Sequence, residues 1–201
     1  MVIGLGLRKR QILKKILISA VEKKLDKELK RNTTVLGVDS ASTTGMALLI
    51  SKEKVLEFDT SIVKFGTHKK GTPINPKLET GIKSIEEYVA NNIKKKTDIT
   101  VIENAYLGTN KYVYGLLRMM AGVFYTLVVS HAKHLDFYYA SEARRIVGFD
   151  SKKLSGSKLK KLVVDWVEYL GFGKLKHDEA DAVILALAGL IVVPMEQKKV
   201  L

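Results

Sequence analysis

From Thr34 onward, short apolar runs alternate with longer stretches of helical periodicity. Val35–Asp39 and Gly45–Ile50 read as two apolar strands around a Ser/Thr/Gly turn, and Lys54–Phe65 as a third. His68–Pro76 reads as loop, because Gly71, Pro73, Asn75 and Pro76 interrupt regular structure. Lys77–Lys95 puts Leu78, Ile82, Ile85, Tyr88 and Val89 on one helical face. Ile99–Ile102 is a short buried strand ending at Glu103, Asn110–His131 a long and largely apolar helix, and Leu135–Tyr139 another strand. Short helices at Glu142–Val147 and Ser157–Tyr169 lead to a last, buried helix from His177 to Val193. Three strands followed by alternating helix and strand predict an α/β domain, a mixed sheet flanked by helices. No internal repeat is visible.

Residues 1–32 follow a different pattern. Ile12, Leu13, Ile16, Leu17, Val21, Leu25 and Leu29 recur at helical spacing among Arg8, Lys9, Arg10, Lys14, Lys15, Lys23, Lys24, Lys27, Lys30 and Arg31. Only Glu22, Asp26 and Glu28 oppose them, so this segment is predicted to be a basic amphipathic N-terminal helix ahead of a domain at 33–201. Two uses fit it: packing its apolar face on the domain or on a second copy, or serving as an extra DNA-binding arm.

The net charge of +13 over 201 residues favours a polyanionic partner, nucleic acid above all. The absence of cysteine removes disulfides, thiolate zinc sites and cysteine nucleophiles, and fits an intracellular protein. No apolar run reaches the ~18 residues of a membrane span. Lys14 and Lys15 break the N-terminal apolar segment, so no secretory signal is expected and a cytoplasmic location is.

Four carboxylates stand where packing alone gives them little reason to be. Asp39 and Glu103 each end an apolar strand, while Asp178 and Asp181 open an apolar helix at a spacing that puts both on one face. Each has a structural alternative: Asp178 as a helix cap, Asp39 as a turn ligand, Glu103 as a partner for a surface lysine. Asp181, one turn inside the helix between Ala180 and Ala182, is the hardest to explain that way. If the two strands are neighbours and the helix crosses them, the acids converge at one sheet edge. Such a cluster repels itself and implies divalent cations as its neutralising partner.

Val35-Leu36-Gly37-Val38-Asp39 with Thr44-Gly45, Val101-Ile102-Glu103-Asn104-Ala105-Tyr106, and His177-Asp178-Glu179-Ala180-Asp181-Ala182 together resemble the RuvC family of Holliday junction resolvases over roughly Val35 to Val193. The resemblance implies an RNase H-like fold and catalytic, metal-binding acids at Asp39, Glu103, Asp178 and Asp181, with Glu179 a close competitor of Asp178. It implies two Mg²⁺ or Mn²⁺ ions per site, and a base-wedging aromatic at Tyr106. Tyr139–Gly148 resembles the family segment that carries a basic residue near the site, which leaves Arg144 and Arg145 as candidates. Gly156-Ser157-Lys158 resembles the segment carrying a second, so Lys158 is expected to assist catalysis and, with Lys160 and Lys161, to contact DNA. Ser40-Ala41 stands where the family has Pro-Gly, and the basic N-terminal segment has no counterpart in typical bacterial members. A divergent, phage- or virus-encoded lineage would show both departures.

The implied activity is symmetric paired hydrolysis of four-way DNA junctions, leaving 5′-phosphates. A C2 dimer through the 110–131 helix is expected, with no membrane and no small-molecule substrate. Three other readings differ in class or target. A nuclease on flaps or RNA–DNA hybrids would use the same acids. A non-catalytic junction-binding module would not need the intact tetrad. Actin- and sugar-kinase-like ATPases share a loop like Val35–Gly45 but need a second lobe and a second glycine-rich phosphate loop, which this chain lacks.

Overall fold

The computed structural model describes residues 32–41, 43–52, 55–64, 75–93, 96–106, 111–149 and 155–196. The predicted N-terminal helix and most of the predicted 68–76 loop lie outside them. The apolar runs form strands β1 (Thr33–Asp39), β2 (Thr43–Lys52), β3 (Val55–Lys64), β4 (Thr97–Glu103) and β5 (Ala132–Tyr138). The periodic segments form helices α1 (Asn75–Asn92), α2 (Lys111–Val128), α3 (Ala140–Ile146), α4 (Gly156–Val167) and α5 (His177–Glu196).

Two boundaries moved for physical reasons. Helix α1 begins at Asn75, so Pro76, expected to be loop, sits in its first turn. A first-turn N–H has no helical partner, and proline therefore opens a helix at no hydrogen-bonding cost. Helix α2 stops at Val128, and a tight turn, Val129–His131, starts β5 three residues before the predicted Leu135. The Thr97 hydroxyl donates to the His131 carbonyl at 3.0 Å and pins that turn to the start of β4.

The strands lie in the order β3-β2-β1-β4-β5. Strands β1 to β3 form an antiparallel meander, and β4 and β5 run parallel to β1. Alternation along the strands divides the interior in two. Leu36, Val38, Met46, Leu48, Val63 and Ile102 meet α1 and α2 on one face. Val35, Ala47, Leu49, Phe58, Ile99 and Val101 meet α5 on the other, and α3 and α4 pack over α5. Helix α5 is buried from Ala180 to Ile191, which suits its almost unbroken apolar sequence. Among the described residues no helix is long and apolar enough to cross a membrane.

Helix α5 approaches the sheet backbone to backbone. A Cβ on Gly37 of β1 would lie 2.2 Å from the Ala182 carbonyl oxygen, and one on Gly45 of β2 would lie 1.9 Å from that of Asp178. From the helix side, a Cβ on Gly189 would lie 2.6 Å from Val101 Cγ2. Glycine is therefore the only residue that permits this spacing at three points.

Gly45→Ala is expected to destabilise the fold by about 3 kcal/mol, since the obstructing atoms belong to the helix backbone and not to a flexible side chain. A urea titration checks this, and an unchanged midpoint would show that α5 is not seated so closely.

Candidate active site

Asp39 and Glu103 terminate parallel, hydrogen-bonded strands whose register runs through Val38↔Ile102, so they are neighbours at one sheet edge. Alternation gives Asp39 the side of Val35 and Gly37, and Glu103 the side of Ile99 and Val101, which is the face covered by α5. Their carboxyl groups are hydrogen-bonded to each other. Opposite Asp39 in the β1–β2 ladder stands Gly45, on which the Asp178 carbonyl rests. The first turn of α5 is thereby held over the strand ends, with Asp178 and Asp181 a turn apart on it.

The turn after Asp39 has its own ties. The Ser40 hydroxyl donates to the Glu103 carbonyl at 3.1 Å, and the Thr44 hydroxyl to the Ala41 carbonyl at 2.7 Å. Ser40-Ala41 therefore closes the turn by side-chain hydrogen bonds and stitches the ends of β1 and β4 together.

Burial dominates the electrostatics. Asp39 is 5 % exposed and Asp181 8 %. Burial, the hydrogen bond to Glu103 and the charges of Glu103, Asp181 and Asp178 push the Asp39 carboxyl well above the usual carboxylate range. Burial also raises Asp181; His177 and Arg144 pull it the other way, while Glu103 and Asp178 add to the rise.

Arg144 and Arg145, equivalent in sequence, separate in the fold. Arg144 Nη1 donates to Asp181 Oδ1 at 3.3 Å, whereas Arg145, one helical step round α3, is exposed. Asp178 and Glu179 separate likewise. Glu179 accepts from the Thr60 hydroxyl and from the Lys176 backbone N–H, both at 3.0 Å, so it caps α5 and ties it to β3. Asp178 is the one whose charge is felt at Asp39 and Asp181.

His177 belongs to the site although it was not among the expected site residues. Its Nε2 lies 3.1 Å from Asp181 Oδ2, and the i, i+4 spacing of the two was the signal available beforehand. Tyr106 is 76 % exposed, which excludes a core role for its ring. Lys158, Lys160 and Lys161 are exposed on α4, and among the described residues no hydrogen bond or ion pair joins them to the four acids.

An all-oxygen, mutually repelling carboxylate set, with Asp39 and Asp181 buried, is of the donor chemistry a hard divalent cation prefers. As the side chains stand, however, no group of three or more His, Asp or Glu among the described residues is arranged to hold a metal ion, and Asp181 is held instead by Arg144 and His177.

The fold has counterparts among solved structures. The structure of T. thermophilus RuvC in complex with a Holliday junction substrate matches with a TM-score of 0.61 at 12% identity, covering 81% of this chain and 96% of that one. The fold is RuvC-like. A second Thermus thermophilus RuvC structure matches this RuvC-like domain with a TM-score of 0.60 at 12% identity, covering 82% and 97% of the two chains. The crystal structure of the yeast mitochondrial Holliday junction resolvase Ydc2 does so at 0.51 and 13% identity, covering 95% of each. No family model and no curated protein matches the sequence itself. The likeness is thus one of fold, at 12–13% identity.

The raised Asp39 carboxyl gives a prediction with a definite sign. A folded-state pKa above the unfolded value of about 3.9 contributes stability below that pH and loses it as pH rises through the folded value. Asp39→Asn removes the ionising group while keeping a donor for Glu103. In EDTA at pH 7.5 it is expected to melt about 5 °C above wild type, with the gap closing towards pH 4. Circular dichroism melts test this, and a lower melting temperature at pH 7.5 would contradict it.

Proposed function

We propose that this chain is a divalent-metal-dependent endonuclease that cuts four-way DNA junctions. One observation carries the reading: the hydrogen-bonded Asp39–Glu103 pair lies under Asp178 and Asp181 of α5, within a RuvC-like fold. That one structural neighbour was solved with a Holliday junction substrate supports the same substrate class here, as does the net charge of +13.

Asp39, Glu103, Asp178 and Asp181 would hold Mg²⁺ or Mn²⁺. Two such ions, when bound, activate water and neutralise charge on the scissile phosphate and leaving oxygen. The chain's own groups do the rest. Arg144 brings a permanent positive charge to the edge of the carboxylates, where charge builds up on the phosphate. Lys158, Lys160 and Lys161 offer α4 to the DNA backbone, with Lys158 the candidate for a second charge at the phosphate. Tyr106 presents a solvated ring three residues beyond Glu103, suited to stacking on a base freed at the branch point.

Paired symmetric cuts need two sites related by a twofold axis. The outward stripe of α2 supports such a partner: Met119 and Tyr125 are 38 % and 42 % exposed, and nothing lies within 4 Å of a Cβ placed on Gly115 or Gly122. Exposed glycines weaken a helix with no gain inside the chain, but they allow a second helix to approach closely.

Four tests follow from this reading. Labelled four-way, flap, duplex and RNA–DNA substrates, with Mg²⁺ or with EDTA, should show Mg²⁺-dependent, paired cutting of the four-way junction above the others. Equal or preferred cutting of flaps or hybrids would replace the substrate, and binding without any cutting would leave a junction-binding module. Asp39→Asn should bind the junction and not cut it; activity within about tenfold of wild type would overturn the site assignment. Tyr106→Ala should slow junction cutting about ten- to a hundredfold through lost stacking, with Tyr106→Phe close to wild type. Finally, Gly122→Arg should turn a dimer into a folded monomer in sedimentation equilibrium, and an unchanged dimer would move the interface off α2.

A further inference from the structure

Both oxygens of Asp181 are taken. Oδ1 lies 3.3 Å from Arg144 Nη1, and Oδ2 lies 3.1 Å from His177 Nε2. The ion pair with Arg144 is well shielded, the two side chains being 12 % and 11 % exposed. A guanidinium keeps its charge at any pH a protein survives, so it cannot release the carboxylate by deprotonation. It must move. Arg144 is also incompletely satisfied where it lies, since its Nε is buried and has no hydrogen-bond acceptor among the described residues. Buried donors normally find acceptors, and one left over marks an arrangement with a competing alternative.

We propose that Arg144 is a built-in placeholder for the metal: it holds Asp181 in the metal-free protein, and a divalent cation must displace it to gain that ligand. This rests on the reading of the four acids as a metal site. Two consequences follow. Arg144 offsets part of the repulsion among the buried carboxylates before the cation arrives, and by the same charge it weakens cation binding. Once displaced, its guanidinium is free to turn towards a phosphate oxygen, so substrate that captures Arg144 also favours metal loading, and the two ligands help one another.

The test is the affinity of the full-length, DNA-free protein for Mn²⁺, measured by titration calorimetry for wild type, Arg144→Met, Arg144→Gln and Arg144→Lys. Met and Gln remove the charge, and Gln keeps a donor should Met fail to fold. Both are expected to bind Mn²⁺ about tenfold more tightly than wild type, the scale on which one neighbouring charge alters a carboxylate's affinity for a proton. Lys keeps the charge and should stay near wild type. In EDTA the neutral variants should melt lower than wild type, and saturating Mn²⁺ should erase the deficit; a merely structural arginine would leave the deficit in place. If wild type binds Mn²⁺ and the neutral variants bind it no more tightly, the placeholder idea falls while the metal site stands. If none of them binds Mn²⁺, both fall together.

Discussion

Helix α5 rests on β1 and β2 with backbone against backbone, and the rest of the structure follows from that contact. Side chains interposed between a helix and a sheet hold the two apart. Here Gly37 and Gly45 remove them from the strands, and Gly189 removes one from the helix. The first turn of α5 is thereby lowered onto Gly45, the cross-strand partner of Asp39. A residue with a Cβ at position 45 would lift the same turn that carries Asp178. The apolar remainder of α5, with Val183, Ile184, Leu187 and Ile191 all buried, supplies the burial that presses the helix down. Glu179 fixes its rotation, bonded to Thr60 on one side and to the Lys176 backbone on the other.

Close seating has an electrostatic consequence. It buries Asp39 and Asp181 beside the half-buried Glu103 and Asp178, which a fold selected for stability alone would avoid. The fold answers with compensations that differ from acid to acid. Asp39 keeps a proton above the usual range and shares a hydrogen bond with Glu103. Asp181 takes Arg144 as its counter-charge and has the His177 Nε2 beside its other oxygen. Local rules of sequence are broken most heavily at this one edge of the sheet.

Much of this was legible in advance, and the failures are instructive. Strand and helix types followed from periods of two and of 3.6, which local sequence displays directly. That Asp39 and Glu103 end strands was equally plain; that the strands are neighbours was not, because β1 and β4 are separated by a meander and a helix. Helix geometry separates Arg144 from Arg145 and Asp178 from Glu179, but only once the position of the neighbouring element is known. Tyr106 could have been core or surface until its exposure was seen. The glycine seats were hardest to foresee, since a glycine in a strand reads locally as a weakness and gives no sign of the helix that needs it. His177 shows the reverse case: its i, i+4 relation to Asp181 was visible and its meaning was not.

The sheet also separates two surfaces that meet at one short segment. The carboxylates face α5, whereas α2 covers the opposite face and turns its exposed stripe outward. The chain passes from one side to the other just beyond Glu103, through Asn104, Ala105 and Tyr106. Ala105 is buried and the Asn104 backbone N–H donates to the Tyr138 carbonyl, so the segment is anchored to β5 as it leaves the sheet. Arg118 of α2 then donates to the Asn104 side chain at 3.0 Å. Glu103, the exposed Tyr106 ring and α2 are thus joined within a few residues of backbone.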